Sequence, residues 1–151
     1  LDVAPASASA GFIYGGKFES GGGGLVATAR DYLRFSQMML NGGELDGVRI
    51  LSPKTVQLMT TNHIGDLPMG FGRTGAGFGL DFGVVLDPGA VGEVSSAGEY
   101  NWGGAAGTRF WIDPQEKMIG LFMVQSIPHR TRLAGDFKVL AYQAMTESYA
   151  D

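Results

Sequence analysis

A glycine-rich segment at residues 100–107 restricts the fold of this chain more than any other feature. It is Tyr-Asn-Trp-Gly-Gly-Ala-Ala-Gly, and the apolar run Thr108–Ile112 follows it. Because glycine has no Cβ, backbone here can lie unusually close to a ligand or a neighbouring strand. A polar loop at 113–117 then leads to a second apolar run, Met118–Val124. The pattern predicts an antiparallel hairpin with a glycine-rich strand beside it, and a last strand covered on both faces.

The first part of the chain predicts helices. Thr28 and Asp31 have the spacing of a capping box, and Gly42-Gly43 supplies the positive φ that ends a helix. Asp46-Gly47 predicts a two-residue hairpin turn, and Ser52-Pro53 predicts a second helix start, with a helix ending near Thr61.

Beyond residue 75, apolar residues recur at every second position. This pattern predicts one strand from Phe78 to Leu86, in which Asp81 has a structural role, facing solvent or a partner such as Arg109. A final helix is predicted at 133–148, and six residues form the stripe expected to lie on the sheet: Leu133, Phe137, Leu140, Ala141, Ala144 and Met145. Helices, antiparallel strands and a closing helix predict an α+β fold. We expect an extended or loop segment at 1–24, a helical part at 25–62, and strands plus the C-terminal helix at 63–151.

Composition and charge exclude several classes of function. The net charge is −4 and the few basic residues are not clustered, which argues against nucleic acid binding. No apolar run is long enough to cross a membrane, so no membrane span is predicted. Two G-x-G-x-x-G/A matches lack the strand–turn–helix setting of a dinucleotide site. His63 and His129 stand alone in loops without zinc-ligand spacing and are interpreted as unspecialised, so no metal or cofactor is predicted.

Nucleophilic catalysis by this chain alone is not predicted. Ser-x-x-Lys, Tyr-x-Asn and Gly-x-Ser-x-Gly are all absent from the sequence, and Ser95 and Ser96 are interpreted as loop formers. From the pattern alone, Trp102-Gly103-Gly104 is either a glycine-rich edge strand or the wall of a ligand cleft.

Four motifs in order carry a family resemblance. They are the helix start at 28–35, the hairpin at 41–47, Leu51-Ser52-Pro53, and the Trp102 motif. Together they resemble the C-terminal part of the serine β-lactamase and penicillin-binding-protein superfamily, above all its esterase branch, the family VIII carboxylesterases. The resemblance implies the C-terminal part of a β-lactamase/transpeptidase-like fold, an antiparallel sheet packed by helices.

The resemblance also implies roles for the residues around Trp102. In this superfamily a Lys-Thr-Gly motif lies on a strand beside the active site, and in esterase-like members a Trp or His often replaces the Lys. The backbone N–H of Ala105 would then donate to the oxyanion, while Trp102, Gly103 and Gly104 would form one wall of the cleft. Tyr100 and Asn101 would lie near its mouth. Trp102 in place of a cation favours esters over penicillins.

The implied function is that of a part of an enzyme. The family's Ser-x-x-Lys and Tyr motifs lie N-terminal to the region that is resembled. We therefore expect the C-terminal portion of a carboxylesterase-like serine hydrolase that acts through an acyl-serine intermediate on a small ester or amide. It would be inactive without its N-terminal portion, supplied by a separate chain or a missing segment.

Two alternatives stay open. One is a penicillin-binding, D-alanyl carboxypeptidase-like or β-lactamase-like protein. The other is a non-catalytic module that forms homo-oligomers by pairing an open sheet edge. The start at Leu1, without Met or a signal-like segment, is interpreted as a processed, split or excised chain. A cytoplasmic and a periplasmic bacterial location are equally compatible with the sequence.

Overall fold

A computed structural model describes residues 26–150, so the segment expected at 1–24 lies outside the described residues. Helix α1 spans Ala29–Leu40 and begins at the predicted capping box. The Thr28 hydroxyl accepts from the Asp31 N–H, and the Asp31 carboxylate accepts from the Thr28 N–H, each at 3.2 Å. The helix ends as predicted, because Gly42 and Gly43 have φ values of +70° and +98°.

A hairpin and a second helix follow α1. The hairpin consists of β1 (Glu44–Leu45) and β2 (Val48–Arg49). Asp46 and Gly47 form its turn with φ of +51° and +76°, as the Asp-Gly pair predicts. Helix α2 spans Pro53–Met59, and the Ser52 hydroxyl caps it by accepting from the Thr55 N–H. The predicted helix start is confirmed, and the helix ends two residues before Thr61.

Within residues 26–150, the main sheet has five antiparallel strands in the order β3-β4-β5-β6-β7. Their bounds, with the short helix α3 between β4 and β5, are β3 (Ala76–Phe78), β4 (Gly83–Val85), α3 (Pro88–Val91), β5 (Tyr100–Gly103), β6 (Arg109–Asp113) and β7 (Met118–Phe122). The hairpin predicted from 108–124 is confirmed, with Phe110 of β6 opposite Leu121 of β7. Within residues 26–150, β7 is the last strand of the sheet, and helices contact it from both faces, as its apolar sequence predicts.

The single strand predicted from Phe78 to Leu86 is instead a hairpin. The chain reverses at 79–82, where the Gly79 N–H donates to the Phe82 carbonyl at 2.8 Å. Asp81 adopts a φ of +70° in this turn and is exposed. Period-two alternation continues through a tight turn, so the pattern did not reveal the reversal. Arg109 pairs with Glu93 rather than with Asp81.

One face of the sheet forms the core with α1 and α2. Strand alternation places Tyr100, Phe110 and Ile112 on this face, 2%, 8% and 0% exposed. Helix α1 contributes Met39, which is buried, and lies against β6 and β7. Together these elements bury the apolar sides of α1 and the sheet, and the predicted α+β class is confirmed.

Helix α4 covers the other face and spans Leu133–Gln143, shorter than the predicted 133–148. The predicted apolar stripe is wrong in part, because Leu133 and Leu140 are 42% and 63% exposed. The buried positions are Ala134 and Lys138, four residues apart. The helix is turned so that Lys138 reaches the buried carboxylate of Glu99, and the two leucines lie on its exposed side. No helix within residues 26–150 has the length and apolarity needed to cross a bilayer.

Candidate active site

The turn between β5 and β6 is held by three backbone hydrogen bonds. The Gly107 N–H donates to the Gly104 carbonyl at 2.9 Å, and the Gly104 N–H donates to the Thr108 carbonyl at 2.8 Å. From outside the turn, the Ser126 N–H donates to the Ala106 carbonyl at 2.9 Å. Because Ala105 and Ala106 have negative φ, the turn has the character of type I. The glycine-rich segment therefore has a defined backbone shape.

Among the residues that the structure describes, no strand lies beside the outer edge of β5 at this end. Strand β4 pairs with β5 only as far as Asn101, which lies opposite Gly83. Since the Gly104 N–H points towards β6, strand alternation directs the backbone groups of Gly103 to the other side. Ala105 is exposed, and its N–H donates no hydrogen bond to any residue within 26–150. Backbone donors are therefore available at this edge.

An open cleft of about 630 Å³ runs along this end of β5. Four of the residues singled out from the sequence line it: Asn101, Trp102, Gly103 and Gly104. Trp102 is 44% exposed, and its ring meets that of Phe78 edge-on at 5.1 Å. Ala105 lies in the adjoining turn and is not among the residues that line the cleft.

Tyr100 has a different place from the one expected at the mouth of the cleft. It is 2% exposed and packs in the core against Phe82, with ring centroids 5.3 Å apart. Side chains alternate along a strand, so Tyr100 and its neighbour Asn101 must point to opposite faces of the sheet. Tyr100 thus supports β5 from the core side, and burial raises the pKa of its hydroxyl.

His129, interpreted from the sequence as an unspecialised loop residue, instead lies partly buried beneath the turn. A Cβ on Gly107 would overlap the His129 ring, and Gly107 has a φ of +91°, so glycine is needed there for two reasons. His129 lines the cleft, and its Nδ1 is buried without a hydrogen-bond partner among the described residues. His129 follows Gly107 by 22 positions, and only the folded loop brings them together, so no sequence signal could have found this contact.

Charged side chains line the cleft on the α4 side. Arg109 forms an ion pair with Glu93 at 2.5 Å, and the Lys138 Nζ lies 3.8 Å from the same carboxylate. Burial alone would raise the pKa of the Glu93 carboxyl, but the hydrogen bond and charge of Arg109 lower it overall. The Glu93 carboxyl is therefore ionised at neutral pH.

The Lys138 ammonium also binds Glu99 at 2.7 Å. A signal for Lys138 existed in the sequence, since Ala134, Lys138 and Tyr142 recur every four residues and share one face of α4. Of the potential ligands within residues 26–150, no three His, Asp or Glu side chains are grouped so as to hold a metal ion.

Comparison with known proteins adds a family and a fold. A family model described as beta-lactamase matches residues 2–143. Protein Rv1367c of Mycobacterium tuberculosis (strain ATCC 25618 / H37Rv) is 41% identical over 123 residues, which cover 74% of this chain and 30% of that protein. A protein of Escherichia coli O157:H7 named "Putative D-alanyl-D-alanine carboxypeptidase" is 31% identical over 110 residues, which cover 73% of this chain and 24% of that protein.

The fold is similar to that of EstCE1, described as a hydrolase with promiscuous acyltransferase activity. The TM-score is 0.73 over 94% of this chain and 35% of EstCE1, at 24% identity, so the likeness concerns the fold alone. The chain spans about 30% of the length of the M. tuberculosis relative and 24% of the E. coli one.

Proposed function

The chain belongs to the beta-lactamase family, and on this premise we propose that it is the C-terminal portion of a serine hydrolase acting through an acyl-serine intermediate. Membership in this family confirms the resemblance to serine β-lactamases and penicillin-binding proteins that the ordered motifs indicated. We also propose that 25–62 and 63–151 belong to one partial domain. The nucleophilic serine and its bases would come from an N-terminal portion.

One observation carries the proposal, namely the unpaired edge of β5 beside the cleft. The Ala105 N–H is exposed and uncommitted to any residue within 26–150, and the turn that holds it is fixed by backbone hydrogen bonds. A preorganised backbone donor of this kind stabilises the negative charge that develops on a carbonyl oxygen. Gly103 and Gly104 would let an acyl group lie flat against the strand.

The side chains of the cleft favour a neutral ester as substrate. Trp102 offers an aromatic surface where a cation would bind the carboxylate of a β-lactam. Arg109 is already paired with Glu93, and Lys138 with Glu99. Arg73 and Arg132 also line the cleft and form no ion pair within residues 26–150, so the preference for a neutral ester rests on Trp102.

The partner would be the N-terminal portion of the same protein, and the surface around β7 fits such a contact. Strand β7 ends the sheet within the described residues, and on α4 beside it Leu133, Val139 and Leu140 are 42%, 44% and 63% exposed. An unpaired strand next to exposed apolar side chains is a surface that natural proteins cover. A second copy of the chain could also cover it, as the self-associating alternative holds.

The experiment that tests the proposal removes the backbone N–H of Ala105. Proline suits the second position of a type I turn, so Ala105→Pro deletes the proposed donor and keeps the turn. The test uses this chain joined to the sequence encoded upstream of it, with p-nitrophenyl esters as substrates. We expect Ala105→Pro to lower kcat by about 100- to 1,000-fold, because one oxyanion donor is lost. Ala105→Ser keeps the N–H and should keep the activity.

Four outcomes would contradict the proposal. The first is an Ala105→Pro variant as active as the unchanged protein. The second is burst acylation by the 151-residue chain alone, since the nucleophile would then lie within it. The third is covalent labelling of the joined protein by a fluorescent penicillin without ester turnover, which would favour the penicillin-binding alternative. The fourth is an isolated chain that elutes as a dimer from a size-exclusion column, together with a joined protein that does not hydrolyse esters. This result would favour the self-associating module.

A further inference from the structure

Four side chains form a buried polar cluster between β5, β6 and α4, which the proposed reaction does not use. The Glu99 carboxylate binds the Lys138 Nζ at 2.7 Å through Oε1 and lies 3.0 Å from the Tyr142 hydroxyl through Oε2. The same hydroxyl lies 2.7 Å from Oδ2 of Asp113. Glu99 and Asp113 are 0% exposed and Lys138 is 2% exposed. Water therefore has no access to the two carboxyl groups.

The hydrogen bonds of this cluster need one more proton than ionised side chains supply. The Tyr142 hydroxyl has a single proton, yet it lies within hydrogen-bond distance of a carboxylate oxygen on each side. If Glu99 and Asp113 were both ionised, one of these two contacts would join lone pairs without a hydrogen between them. A buried contact of this kind is unfavourable, so the geometry calls for a protonated carboxyl.

The charge count leads to the same result. Around Glu99, the ionisable groups are Lys138 and Tyr142 on α4 and Asp113 on β6. Beside them lie Glu93, which pairs with Arg109, and Arg73, whose positive charge also acts on Glu93. With both carboxyls ionised, the cluster would hold two buried negative charges against the one positive charge of Lys138. One added proton makes it neutral, and burying a net charge in such a site is costly.

The two carboxyl groups differ in what surrounds them. Oδ1 of Asp113 accepts the backbone N–H groups of Gln115 and Glu116 at 3.0 and 3.2 Å, whereas no backbone N–H within residues 26–150 donates to the Glu99 carboxyl. Burial raises the pKa of Glu99, although Lys138 acts in the opposite direction. The hydroxyl of Tyr142 keeps its own proton, because burial and the bond to Asp113 raise its pKa.

We propose that Glu99 is a buried proton-binding site, whose carboxyl O–H donates to the Tyr142 oxygen while the Tyr142 O–H donates to Asp113. The remaining oxygen of Glu99 accepts from Lys138 and from the Asn101 amide at 3.1 Å, which connects the site to the cleft. The site does not depend on the proposed function, since all its groups lie in this chain.

Folding then takes up a proton, which sets the sign of the pH dependence. The pKa of Glu99 is raised in the folded state above its ordinary value of 4.5. The stabilisation by Glu99 is therefore complete below pH 4.5. It is lost as the pH rises through the pKa of Glu99 in the folded state. Within this window the folding equilibrium constant falls by up to about tenfold per pH unit, the limit for one proton.

The test measures urea unfolding of the 151-residue chain between pH 5 and pH 8. Glu99→Gln is neutral and has the same shape, with an NH₂ that can donate to Tyr142 and an oxygen for Lys138. In the unchanged chain, the free energy of unfolding should fall as the pH rises. In the Glu99→Gln variant, we expect the part of this fall that Glu99 causes to be absent. At pH 8 the free energy of unfolding of the variant should equal or exceed that of the unchanged chain. The control is Glu147→Gln, an exposed residue, which should leave the slope unchanged.

The proposal would be overturned if the free energy of unfolding depended on pH equally in the Glu99→Gln variant and in the unchanged chain. A folding equilibrium constant of the Glu99→Gln variant at pH 5.5 that is tenfold or more below that of the unchanged chain would also overturn it. The same holds if this variant does not unfold cooperatively at that pH. Infrared spectroscopy at pH 6 gives a second readout if the variant does not fold. The unchanged chain should show a carboxylic acid C=O band that shifts when glutamate is labelled with ¹³C. A missing band, or one unmoved by the label, would contradict the assignment to Glu99.

Discussion

Replacing Gly120 with alanine tests the packing of β7 beneath α4. Gly120 lies opposite Trp111 in the sheet, and a Cβ built on it would overlap three atoms of the Trp111 indole ring. Trp111 is 0% exposed and is covered by Phe137 of α4, with ring centroids 5.7 Å apart. Gly120 has no positive φ, so alanine adds no backbone strain, and the effect of the substitution is steric.

The magnitude follows from the distances. The new Cβ would overlap the ring, and the indole must withdraw by about 1.2 Å to reach ordinary contact at 3.4 Å. The ring cannot move away without displacing α4. Overpacking of this kind costs about 1–3 kcal/mol of the free energy of unfolding. With a urea m-value of about 2 kcal/mol/M, the midpoint should fall by about 0.5–1.5 M.

The assay is urea unfolding followed by circular dichroism, because the fluorescence of Trp111 would itself respond to the change. Gly135→Ala is the matched control, since a Cβ there meets no atom within 4 Å and Gly135 lies in the first turn of α4. That substitution should raise the free energy of unfolding by about 0.4–1 kcal/mol. If Gly120→Ala changes stability by less than the control does, the indole does not cover Gly120 and the reasoning fails.

Two further predictions concern charged residues. Lys138→Met should lower the free energy of unfolding at pH 7 by about 3 kcal/mol in the same assay, because it leaves buried carboxyls without their cation, and an unchanged midpoint would count against the cluster. Asp46→Asn should change it by less than about 0.5 kcal/mol, since the pair of Asp46 with Arg34 is exposed and asparagine tolerates the left-handed turn, and a larger loss would show that this surface pair matters.

Local signals in the sequence determined much of the fold. The Thr28 capping box, the Asp46-Gly47 turn and the Ser52-Pro53 helix start each depend on residues within four positions, and the structure has all three. Their geometry is fixed by short-range hydrogen bonds and permitted φ values, so distant parts of the chain have little influence on them. The hairpin of β6 and β7 was predictable for the same reason.

Features set by contacts between distant segments were not predictable. The rotation of α4 depends on the carboxyl of Glu99, 39 positions before Lys138, and hydropathy alone favoured burying Leu133 and Leu140 instead. The place of Tyr100 depends on which face of β5 meets α1. The glycines of the cleft were visible in the sequence, but their relation to His129 needed the folded loop.

The wall of the cleft that Gly103 and Gly104 form has no side chains to hold it in place. Gly103 and Gly104 have nothing to pack, so the shape of the wall must come from bonds made by its neighbours. On one side the turn is bonded to Thr108 and Ser126. On the other, Asn101 is bonded to Glu99, whose carboxyl is fixed in turn by α4. A change in the buried cluster should therefore reach the cleft through Asn101, where β4 stops pairing with β5, while the pairing of β5 with β6 stays in place.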